Sequence, residues 1–165
     1  MSHWVSGLIA DYPALERIAR AHSLALPARL EQGLGLLPLD DTNLPALLGL
    51  EDVRTDEIAE AEDDGEAFEY LTPALTAWCI EASRAARLVY FETRYFGGSG
   101  GQGAAVFDAG AAIFGPGMRQ GAISEALQLL GASAQGRFDA FDGVGLGQCR
   151  SNDGWRDQAR RVWRP

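Results

Sequence analysis

The chain is predicted to fold as an α+β domain, a mostly antiparallel sheet with about three helices packed on one face. Three observations predict it. Apolar residues recur at helical spacing in three separated segments. An aromatic and β-branched run, Leu88 to Phe96, precedes two short apolar segments divided by turn residues. Finally, 165 residues at 47% hydrophobic content suffice for one ordinary core and not for two, so 1–165 is expected to be a single domain.

The elements follow in order. Trp4 to Ala10 has strand length, and Leu15, Ile18, Ala19 and His22 then fall at i, i+3, i+4 and i+7. With Asp11 as a cap and Pro13 tolerated in the first turn, that spacing predicts a helix over about 12 to 25. Gly35 to Leu39 reads as the next strand, so the order is that of a βαβ crossover. Asn43 and Pro45 start a short helix that ends near Gly49. Thr72 is a good N-cap and Pro73 fits the first helical position; Leu75, Trp78, Cys79, Ala82 and Ala86 then form one buried stripe, with Glu81, Arg84 and Arg87 outside it. Leu88 to Phe96, Ala104 to Asp108 and Ala111 to Phe114 make an antiparallel meander, its first connection a mobile glycine-rich loop. A third helix runs from about Arg119 to Leu130, closed by Gly131, and 132–165 reads as loops and short turns.

Charge is concentrated in one place. Residues 51–69 hold ten carboxylates against Arg54, whereas the rest of the chain holds thirteen acids and thirteen arginines, so this segment carries the net charge of -9. A neutral body with one acidic surface segment repels nucleic acid and attracts a basic partner. The segment reads as a surface loop or as an amphipathic helix with a thin apolar edge.

Several chemistries are unsupported. There is no lysine, which removes Schiff-base chemistry and the phosphate-loop lysine. Cys79 and Cys149 lack CxxC spacing and read as free thiols of a reducing, cytoplasmic compartment. No leader or membrane span is expected, and with two histidines and two distant cysteines neither a metal site nor a cofactor is expected. Gly98, Gly100 and Gly103 satisfy G-x-G-x-x-G, but a strand and not a helix follows them. Gly97, Ser99 and Gly101 satisfy G-x-S-x-G, but both histidines lie upstream of it. No catalytic residue is assigned.

Along Leu88 to Phe96, alternation puts Tyr90, Glu92, Arg94 and Phe96 on one face. The structural reading is a half-buried ion pair among aromatics. The functional one is a small-molecule pocket or enzymatic site formed by Tyr90, Glu92 and Arg94, with Gln102 above.

The segments 70–107, 123–131 (ISEALQLLG) and 138–150 (FDAFDGVGLGQCR) resemble a group of small bacterial proteins with a helix, an aromatic strand, an FGG-type loop and a final G-L-G turn. That resemblance brings no catalytic residues with it. In size, acidity and lack of catalytic chemistry the chain is similar to immunity proteins of bacterial toxin systems, which cover a toxin's active site. The similarity implies a binding protein that neutralises a basic partner, a toxin, through Asp56, Glu57, Glu60, Asp63 and Asp64; neither nucleic acid nor membrane is expected as a partner.

Overall fold

A computed structural model describes residues 2–49, 68–97 and 99–162. In it β1 (His3–Asp11), β2 (Ala28–Arg29), β3 (Leu34–Pro38), β4 (Leu88–Phe96), β5 (Ser99–Asp108) and β6 (Ala111–Met118) form one antiparallel sheet, ordered β2-β3-β1-β4-β5-β6. Around it lie α1 (Tyr12–Ala21), α2 (Leu44–Leu48), α3 (Pro73–Ala82), α4 (Ala122–Leu129), α5 (Ala140–Gly143) and α6 (Asn152–Val162). The α+β reading holds, but the helices among the described residues are six and not three. None of them is long and apolar enough to cross a membrane.

The helices also cover both faces of the sheet and not one. Successive strand side chains point to opposite faces, and here both sets are apolar. Leu8, Ala10, Leu37, Leu88, Tyr90, Ala105 and Phe107 pack under α1, α2 and α3. Val5, Ile9, Leu36, Val89, Phe91, Ala104 and Val106 pack under α4, α5 and α6. Strands β1, β4 and β5 are therefore central and buried on both sides, which explains their near-continuous apolar runs.

The expected crossover takes a different form. β1 and β3 pair antiparallel, Gly7 opposite Pro38 through Asp11 opposite Leu34. The strand running parallel to β1 is the two-residue β2, and a turn with Gln32 at φ 62 and Gly33 at φ 76 then sends β3 back between them. The first helix stops at Ala21, because Ser23 takes φ 55 and Leu24 N bonds back to Ala19 O. Two helix ends follow the sequence closely. Thr72 Oγ1 accepts from Leu75 N at 3.2 Å, and Gly49 closes α2 with φ 68. In α3, Leu75 and Cys79 are fully buried but Trp78 is only half-buried.

Two expectations are corrected outright. From Ser99 onward the glycine run is strand and not loop, because β5 starts at Ser99, directly opposite Phe96, and Gly100 to Gly103 pair with Tyr95 to Glu92. The stretch 132–165 is not mainly loop either. It holds α5, a 3-10 turn at Leu146–Gln148 and the eleven-residue α6. Helix α6 is mostly polar, and its one large apolar anchor among the described side chains, Trp155, is fully buried in the core cluster where α6 packs on β1, β2 and β3.

Candidate functional site

Glu92 is the one acidic side chain among the described residues that is nearly inaccessible, at 2% exposed. It sits on β4 two residues after Tyr90, so both point to the α1–α3 side, and each of its oxygens is satisfied. Oε1 accepts from Glu69 N at 2.6 Å, and Oε2 accepts from Tyr70 N at 2.9 Å and from the Tyr90 hydroxyl at 2.6 Å. Arg94 Nη2 lies 3.7 Å from Oε1. Burial pushes the Glu92 carboxyl above the usual range, and these donors offset only part of the shift. Burial also raises the Tyr90 hydroxyl, with the Glu92 charge adding to it, so that hydroxyl remains a donor at neutral pH.

The role of Glu92 is to hold the chain where the acidic segment ends. Phe68 packs on Tyr90, ring centroids 6.0 Å apart, and it fits because Gly103 lies opposite Glu92: a Cβ there would run into Met118 and Phe68. Trp4 Nε1 donates to Glu69 Oε2 at 3.2 Å and completes the clamp. The half-buried ion pair expected from the sequence is present, and its carboxylate is in addition a backbone anchor. Charged acceptors on two backbone N–H groups are worth more than an exposed Arg–Glu contact.

Beyond this clamp the sheet surface opens into a polar groove of about 430 Å³, lined by Arg94, Gly100, Gly101, Gln102, Met118 and Arg119, with Gln120. The glycines leave its floor bare; a Cβ on Gly101 would meet nothing nearer than Met118 Cε at 3.8 Å. Arg119 is tied to Glu125, and Tyr95 links the glutamines, its hydroxyl donating to Gln120 and accepting from Gln102.

The four residues proposed for a pocket divide. Tyr90, Glu92 and Arg94 share the α1–α3 face, and the first two are closed off beneath residues 68–70. Gln102 pairs with Thr93 and points to the other face, where its Oε1 accepts from Ile123 N at the start of α4. Arg94 and Gln102 alone reach the groove. Asp56, Glu57, Glu60, Asp63 and Asp64 lie outside the described residues. Among those described, no three His, Cys, Asp or Glu residues gather as metal ligands. Cys149 has no lowered pKa: burial raises it, with only partial relief from Arg161.

No family model, curated protein or solved structure matches the chain, so residue roles rest on its own chemistry.

Proposed function

We propose that this chain is a cytoplasmic binding protein of toxin-immunity type, which neutralises a basic partner protein through the acidic segment 51–69. The observation that carries the reading is the charge distribution: ten carboxylates in nineteen residues on an otherwise neutral chain. Carboxylates at that density occupy the places of phosphates in a basic cleft and steer association. The clamp at Glu92 supports the reading, because it fixes the segment's last residue, Glu69, and the backbone of Tyr70 to the sheet. The free thiols Cys79 and Cys149 accord with a reducing compartment.

The test is to isolate the protein that binds the tagged chain in its native extract and to measure association of the purified pair across salt concentrations. Replacing Asp56, Glu57, Glu60, Asp63 and Asp64 together by their amides should lower the association rate and flatten its salt dependence. Unchanged rates, or an acidic partner, remove the proposal.

A second reading is favoured by the groove at Arg94, Gly101 and Gln102: a small polar molecule bound at about 430 Å³, a volume within the range of ligand sites. Gly101→Phe fills that floor. It should abolish such binding and leave association with a basic protein unchanged.

A further inference from the structure

Helices α1 and α3 lie on the same sheet face without closing on each other. Where they face, α1 presents Ala14 and Ala21 and α3 presents Ala82, so the methyl groups leave a hollow of about 340 Å³ between the helices. Its walls are otherwise mostly apolar, with Arg17, His22 and Glu81 as the polar lining residues. Ile18 lines one side and Trp78 the other, and an edge contact between His22 and Trp78, ring centroids 5.8 Å apart, bridges the helices at the C-terminal end of α1.

The charges at the rim are unequal. Glu81, which lines the hollow, has its charge paired with Arg84, and Arg20 beside the hollow is held by Glu16, each within its own segment. Arg17 also lines the hollow, is exposed, and makes no ion pair among the described residues. An apolar, aromatic-walled space with one uncommitted guanidinium at its mouth fits a flat apolar body carrying one anionic group.

We propose that this hollow binds a small aromatic carboxylate, its ring system against Trp78, Ile18 and the alanine methyls and its carboxylate on the Arg17 guanidinium. The volume, at the lower end for ligand pockets, admits one or two fused rings. The site is built from α1, α3 and the residues just after each, so it stands independently of the acidic segment's role.

Calorimetric titration of the full chain with 2-naphthoate and with the uncharged 2-naphthamide tests the assignment. The expected result is saturable binding of the acid, with the amide about tenfold weaker because it lacks the charge-assisted pair. Arg17→Gln should reduce the affinity for the acid to that for the amide and leave the amide unchanged. Ala21→Leu, at an exposed rim position, should block both ligands while thermal melting without ligand stays unaltered. Absence of binding to the wild-type chain at millimolar ligand, equal affinities for acid and amide, or undiminished binding by the Leu variant would each overturn the site.

Discussion

Arg156 closes on Asp40 with both arms of its guanidinium, Nη1 donating to Oδ2 at 2.8 Å and Nη2 to Oδ1 at 2.9 Å. The pair ties α6 to the turn that follows β3. Asn152, one turn earlier on α6, donates to the same carboxylate and to Leu39 O, and its side-chain oxygen accepts from Ser6 N. A mostly polar helix is thus held by a polar network at its start and by Trp155 beneath it.

Asp40 should therefore govern part of the acid stability. Burial alone would raise its carboxyl, but the hydrogen bonds from Arg156, Thr42 and Asn152 outweigh that and bring it down to about 2. A folded-state pKa below the unfolded one gives stability that is present above the usual carboxylate range and lost as pH falls toward about 2. Asp40→Asn should cost about 2 kcal/mol at pH 7, a half-buried pair lying below the cost of breaking a fully buried one. Urea unfolding at pH 7 and below pH 3 checks both points, since the gap between variant and wild type should narrow at the acid end.

Glu92 has the opposite linkage. Its carboxyl is raised by burial, so its contribution is fully present below the usual 4.5 and declines as pH rises through the folded-state value. Stability of the wild type relative to Glu92→Gln should accordingly fall as pH rises above about 4.5, reversing the trend at Asp40. Tyr90→Phe removes one donor from the carboxylate and should cost about 1 to 2 kcal/mol. Hydrogen exchange at the Glu69 and Tyr70 amides reads the clamp directly: faster exchange is expected in both variants, and unchanged protection would remove Glu92 as the anchor.

Core position should separate the two tryptophans that face helices. Trp155 is fully buried and Trp78 is half-buried, so Trp155→Ala should cost about 3 to 5 kcal/mol and Trp78→Ala distinctly less. Thr72→Ala should cost about 1 kcal/mol through the lost cap on α3. Chemical denaturation of the three variants gives the order, and a larger loss at Trp78 than at Trp155 would contradict the packing.

What the sequence disclosed depended on how local the cause was. Thr72 with Pro73, and Gly49 after α2, act through neighbouring backbone and were legible, as was the meander from Leu88 onward. Helix α6 was not, because its anchor is a single aromatic residue and its other ties, Asn152 and Arg156, are made to Ser6, Leu39 and Asp40 more than a hundred residues away. Helices on both faces could have been inferred from β4, where Leu88, Val89, Tyr90 and Phe91 leave no polar face. The clamp shows the same limit. Alternation placed Glu92 beside Tyr90, but its partners Glu69 and Tyr70 approach through the backbone, which carries no residue signature.

The glycine run offers the sharpest discrimination, because neighbouring glycines serve different ends. Gly100 has φ 133, and a Cβ there would collide with Arg94 O; Gly101 has open space above it. Gly100→Ala should therefore cost about 2 kcal/mol or more through strain and steric conflict, whereas Gly101→Ala should be neutral or stabilising by about 0.5 kcal/mol, as alanine loses less entropy in a strand. A phosphate cradle would demand both glycines and a helix N-terminus directly after them, but here β5 continues to Asp108 and turns at Ala109 and Gly110 into β6. Titration with ATP and NAD should accordingly give no heat of binding. Saturable micromolar binding that Gly100→Val abolishes while the chain stays folded would restore the nucleotide reading of this motif.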